Sequence, residues 1–187
     1  MLVLALGSGA MQLPGVNVAA ATKPKTAGQL CTANHLRVIP HSAFAVWGTE
    51  AFLVVLENVS KSNCTLEGYP QLRMLDVGGK SIATRVAHGS AFGSANFTGV
   101  TLISVKPGWS GLFGLTYPNS IDYPPATCPI SDHVKIHIPN MKESIILKWR
   151  IQPYGGKTGV TPRCGEISVS FIYGPYRLTK SQLNNAA

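Results

Sequence analysis

Acidic residues are scarce in this chain. Its 187 residues contain eight Asp and Glu against sixteen Lys and Arg, so the formal charge is +8 although only 13% of residues are charged. Aromatic residues are also few, at 8%. A glycosidase needs two facing carboxylates, and the eight acids are scattered along the chain. No G-x-S-x-G elbow occurs; Gly108-Trp109-Ser110-Gly111 misses it by one residue. Neither H-E-x-x-H nor a phosphate loop nor a dinucleotide fingerprint is present. These absences predict a protein that is not an enzyme and has no cofactor. No apolar run approaches the roughly 18 residues of a membrane-crossing helix, which predicts no transmembrane segment. No helix-turn-helix or RNA-binding signature supports a nucleic-acid partner. The hydrophobic fraction of 45% is too high for wholesale disorder.

The amino-terminal region also lacks charge. The first charged side chain is Lys23, and before it come the apolar run Leu2 to Leu6 and the small residues Ala19-Ala20-Ala21. Residues 1–21 therefore read as a truncated secretory signal without its basic start. Residues 22–30 read as a linker, 31–177 as the folded domain and 178–187 as a flexible polar tail. Export places the protein outside the cytoplasm, secreted or associated with the cell envelope.

The four cysteines, Cys31, Cys64, Cys128 and Cys164, contain no CxxC pair. Zinc sites usually hold ligands in close pairs, so no metal site is expected. In an oxidising compartment two disulfides are the natural outcome. Three pairings are possible, and the favoured one joins sequence neighbours, Cys31 to Cys64 and Cys128 to Cys164. His133 and His137 share one face of a predicted strand, but strand rise sets them roughly 13 Å apart, too far for a common metal.

The remainder consists of short apolar or alternating runs broken by 19 Gly and 13 Pro. His35–Ile39 reads as a strand ended by Pro40. Ala51–Leu56 is a continuous apolar run suited to a central strand. Leu72–Val77, Gly78-Gly79 and Ser81–Val86 read as a hairpin. Thr101–Val105 follows a glycine-rich loop. Trp109 to Tyr117 alternates as a half-buried strand would. His133–Ile138 alternates cleanly, Glu143–Ile151 follows, and Ile167–Tyr173 reads as the last strand. Eight or nine strands without a convincing amphipathic helix predict an all-β, immunoglobulin-like antiparallel two-sheet sandwich.

One block is more specific. Cys64-Thr65-Leu66-Glu67-Gly68-Tyr69-Pro70 follows Asn58-Val59-Ser60 and Cys31-Thr32-Ala33, and precedes Val105-Lys106-Pro107-Gly108 and Cys164-Gly165-Glu166. The C-x-L-x-G-Y-P block with its ordered cysteines resembles the actinobacterial exported domain of unknown function 4232 family, over Cys31 to Pro175. The resemblance implies an exported or lipid-anchored envelope protein with an immunoglobulin-like sandwich and no catalytic residues. This chain shows no lipobox before Cys31. Within the block, Gly68 permits a backbone angle that a Cβ opposes. Tyr69 is expected to bury its ring and bond its hydroxyl to backbone, and Pro70 to pre-set the next strand.

Among basic residues, Lys142, Lys148, Arg150, Lys157 and Arg163 cluster in sequence against Glu143 alone. They form the candidate surface for an anionic partner: an envelope polymer, a lipid headgroup or an acidic face of an envelope protein. Arg37, Arg73 and Arg85 alternate with apolar residues and are expected to face solvent. Trp47, Phe92, Phe97, Trp109 and Tyr117 are expected in or beside loops, where they offer a stacking surface. The N-x-S/T matches at Asn58, Asn63 and Asn96 read as chance. The function predicted is a non-catalytic binding or interaction module. The alternatives are a small-molecule carrier with a pocket between sheets and a hydrolase.

Overall fold

The computed structural model describes residues 28–46, 49–89, 102–118, 131–148 and 165–184. The expected signal at 1–21, most of the 22–30 linker, Cys128 and Cys164 lie outside these residues. So do Arg150, Lys157, Arg163, Trp47, Phe92, Phe97 and Asn96.

The described chain is mostly β. The strands are β1 (Leu36–Val46), β2 (Thr49–Asn58), β3 (Cys64–Leu66), β4 (Gln71–Leu75), β5 (Thr84–His88), β6 (Ile103–Val105), β7 (Ser110–Pro118), β8 (His133–His137), β9 (Ile145–Lys148), β10 (Gly165–Val169) and β11 (Tyr173–Tyr176). They form a six-stranded sheet in the order β1-β2-β7-β10-β5, with β11 added along β7, a β3-β6 pair, and a three-stranded sheet β4-β8-β9. Three hydrogen-bonded sheets stand where two were expected. One pair, β5 with β10, is parallel, against the expected all-antiparallel pairing.

The apolar run of β2 is buried almost throughout, as a strand flanked by β1 and β7 requires. β1 runs on past Pro40, where the sequence predicts a stop. It is the outer strand of the sheet, so the missing N–H of Pro40 costs little there, and the register slips between Pro40 and Ser42. β7 is buried on both faces rather than one. Gly111 makes room for this. A Cβ there would stand 3.0 Å from both Ile103 and Leu66 side chains, so glycine lets β3 and β6 press onto the large sheet.

The expected hairpin after β4 begins and then opens. Asp76 Oδ1 accepts from the N–H groups of Gly78 and Lys80 at 2.9 and 2.8 Å, Gly79 takes φ 79°, and Ile82 N–H donates to Met74 O. Beyond Ile82 the chain leaves for β10, while β4 pairs with β8. That pairing sets Leu72 opposite Ile136 and Met74 opposite Val134, so four buried side chains share one face. The expected last strand is likewise two. Ser170 interrupts it, its N–H donating to Gly114 O and its Oγ accepting from Gly114 N–H, before β11 rejoins β7.

The sheets share one core, built on Phe52, Leu56, Phe113, Leu115, Met74, Ile136 and Ile167, all fully buried. Cys31 and Cys64 belong to it and are joined as a disulfide, the pairing favoured from the sequence. Within the expected tail, Lys180–Asn184 forms a helical turn, α1. Thr179 N–H donates to Gln182 Oε1 and Gln182 N–H to Thr179 Oγ1, a reciprocal cap.

Candidate functional site

The alternation of β8 decides the site. Val134 and Ile136 point into the core, so His133, Lys135 and His137 point outward. β4 alternates in the same way, with Leu72 and Met74 inward and Gln71 and Arg73 outward. Antiparallel register then sets Arg73 directly opposite Lys135, and Gln71 opposite His137. On the other side β9 sets Lys148 opposite His133.

Arg73 and Lys135 are both exposed and of like charge. Directly opposed like charges destabilise a sheet. Two other outward arginines, Arg37 and Arg85, stand opposite glutamates. Arg37 stands opposite Glu57 in the β1–β2 register and donates to its Oε2 through Nε at 2.8 Å. Arg85 stands opposite Glu166 across β5 and β10, at 3.6 Å. Among the described residues neither Arg73 nor Lys135 has a carboxylate partner. Asp132, at the far end of β8, is taken by His133 Nδ1 at 2.8 Å and Lys148 Nζ at 3.8 Å.

The surface between β4 and β8 is concave. A groove of about 250 Å³ is lined by Gln71, Leu72, Arg73, Lys135, His137 and Ser144. Ser144 Oγ lies 3.5 Å from His137 Nδ1, the outer limit of a hydrogen bond. No carboxylate lines the groove. It offers a guanidinium fork, an ammonium, an imidazole, an amide and a hydroxyl, a donor set for an oxyanion.

Of the five basic residues singled out in the sequence, Lys142 is exposed ahead of β9 and Lys148 ends β9, shared with Asp132. The other three lie outside the described residues. The structure adds Arg73, expected on a solvent face, and joins to it Lys135, which points outward between His133 and His137. The only signal in the sequence was their outward position in two alternating strands.

Within the C-x-L-x-G-Y-P block, Gly68 takes φ 80°, and a Cβ there would lie 2.8 Å from Pro139 Cγ. Its carbonyl accepts from Ile172 N–H at 2.8 Å. Pro70 is buried and leads into β4. Tyr69 differs from expectation. It is half-buried and stacks on His88, ring centroids 4.2 Å apart, with Phe171 against its edge. His88 occupies its face because β5 runs away from β4.

Tyr117 is also not a surface ring. It is buried, stacks on Phe52 at 5.4 Å and donates its hydroxyl to Glu50. Trp109 packs half-buried on the core, with Lys106 Nζ 5.7 Å from its ring. Asn58 is fully buried, its Nδ2 donating to Ser62 O and Val105 O, so it holds loops together. Among the described residues no group of three or more His, Cys, Asp or Glu could hold a metal, and no helix is long and apolar enough to cross a membrane.

The family model of a domain of unknown function (DUF4232) matches residues 31–172. The chain belongs to this family. The match starts at the disulfide cysteine Cys31 and ends at Ile172, whose N–H bonds to Gly68, so the DUF4232 domain includes the whole β4-β8-β9 sheet and its groove. No curated protein and no solved structure matched the chain.

Proposed function

We propose that this DUF4232 domain is a non-catalytic extracytoplasmic module, secreted or envelope-associated, that holds an anionic envelope partner on the outer face of β4-β8-β9. One observation carries the proposal: Arg73 and Lys135 face each other across that sheet with no carboxylate among the described residues. Such a pair costs stability, and an anion bound between the two side chains offsets that cost. Export is supported by the apolar leader and by the Cys31–Cys64 disulfide, since disulfides persist in oxidising compartments. The same reading includes a second bond, Cys128–Cys164, and an immunoglobulin-like sandwich formed as the small sheets cover the large one over their shared core.

The test is binding of the purified protein to sulfated and phosphorylated polymers across a salt series. Screening shortens from roughly 10 Å at about 0.1 M to roughly 3 Å at about 1 M salt. Binding should weaken steeply over that range, and should be lost at every salt in the Arg73→Gln/Lys135→Gln variant. Salt-independent binding, or none, refutes the proposal. Thiol titration separately checks the second bond: free thiol in the exported, unreduced protein removes it.

A further inference from the structure

We infer that the groove between β4 and β8 seats the phosphodiester groups of a polymer, and that His137 makes this binding pH-sensitive. The inference rests on the anionic-partner reading and narrows it to one site and one chemistry. Arg73 and Lys135 come from adjacent strands, stand directly opposite each other and both line the groove. A planar carboxylate suits one guanidinium fork. A phosphodiester is tetrahedral, and its two free oxygens leave phosphorus in different directions, so a fork on one flank and a point charge on the other can each take one. Gln71, Ser144 and His137 continue the polar lining beyond this pair. The site is concave, with a volume of about 250 Å³, which suits a chain laid into it better than a flat bilayer.

His137 is the third basic group. Lys135 adjoins it on β8, Gln71 and Arg73 face it from β4, and Ser144 touches it from the β9 side. The exposed turn between β8 and β9 carries Lys142 and Glu143. An imidazole gains its charge between about pH 8 and pH 5, while a phosphodiester keeps its charge throughout. The groove thus gains a third cation on acidification. One added charge-assisted hydrogen bond implies about tenfold tighter binding. His133, on the same strand, is held by Asp132 at 2.8 Å and is the internal control.

The experiment is calorimetric titration with poly(glycerol phosphate) near pH 5.5 and near pH 7.5. Wild type should bind about tenfold more tightly at the lower pH. His137→Gln should lose the difference between the two pH values, and His133→Gln should keep it. His137→Asn serves if the Gln variant does not fold. A pH effect that survives both His137 substitutions overturns the inference. Polymer binding that survives Arg73→Gln/Lys135→Gln overturns it too, while leaving an anionic partner elsewhere on the domain. Equal affinity for a polycarboxylate, or tighter binding to phosphatidylglycerol vesicles, overturns the phosphodiester polymer. Absence of any anion binding overturns both readings.

Discussion

Reversing one charge of the Arg73–Lys135 pair should stabilise the protein and abolish its binding. The two residues are directly opposed on an antiparallel pair, so their Cβ atoms stand about 4.5–5.5 Å apart. Two unit charges at that distance in water would interact by about 0.8 kcal/mol, an upper bound here because both charges sit at the ends of long side chains that can splay apart. Lys135→Glu turns that repulsion into attraction, a swing of about 1.5 kcal/mol before screening. Both side chains are exposed, so about 0.5–1 kcal/mol should remain at moderate salt. For a chain of this length that is a rise in Tm of about 1–4 °C. Arg73→Glu should do the same, and the Arg73→Glu/Lys135→Glu variant should fall back to wild type, because it restores a like-charged pair. Urea unfolding of the four proteins closes the cycle, and the coupling term isolates the pair. Binding to phosphorylated polymer should be lost in all three variants. If the single variants lower stability, or if the double variant is as stable as either single one, the two side chains do not oppose each other and the site falls.

The other expectations concern the frame that carries the groove. Gly68→Ala should lose about 2–4 kcal/mol in urea unfolding, combining the left-handed backbone with a 2.8 Å approach to Pro139; a loss under about 0.5 kcal/mol would mean that the Gly68–Pro139 contact is not tight. Opening the Cys31–Cys64 disulfide, which closes a loop of 33 positions, should cost about 3–4 kcal/mol; an unchanged urea midpoint for the Cys31→Ala/Cys64→Ala variant contradicts this. The Tyr173 hydroxyl is pushed up from 10.0 to about 12, first by burial and then by Tyr176. Between those values the unfolded chain ionises while the native state keeps its proton, so stability should fall as pH rises above about 10. Phenolate absorbance should show a late-titrating component that Tyr173→Phe removes.

Much of the local structure was legible because it depends on near neighbours. The alternation of His133–Ile138 shows which side chains face outward, and the same face is seen in β8. The apolar run Ala51–Leu56 predicts a buried central strand, and β2 is one. Cysteine spacing favours Cys31 with Cys64, which are joined. Pairing was less legible. Gly78-Gly79 signals a turn, and a turn is present, but the strands it joins go to different sheets. The competing partners, β8 for β4 and β10 for β5, lie far along the chain, and no local preference decides between them. A strand's face follows from its own period of two, whereas its partner depends on which apolar faces fit together in the core.

The sequence by itself determined the excess of positive charge, the short strands with their inward and outward residues and the C-x-L-x-G-Y-P block. Each of these is set by residues close in the chain or by plain counting. Only the tertiary structure decided which of the strand charges meet a partner. It shares Lys148 with Asp132, gives Arg37 and Arg85 their glutamates, and leaves Arg73 and Lys135 facing each other over a groove. Strand pairing brings together residues that are distant in sequence. The burial of Leu72 and Met74 against Val134 and Ile136 selects that pairing, and the charges on the opposite face are carried with it.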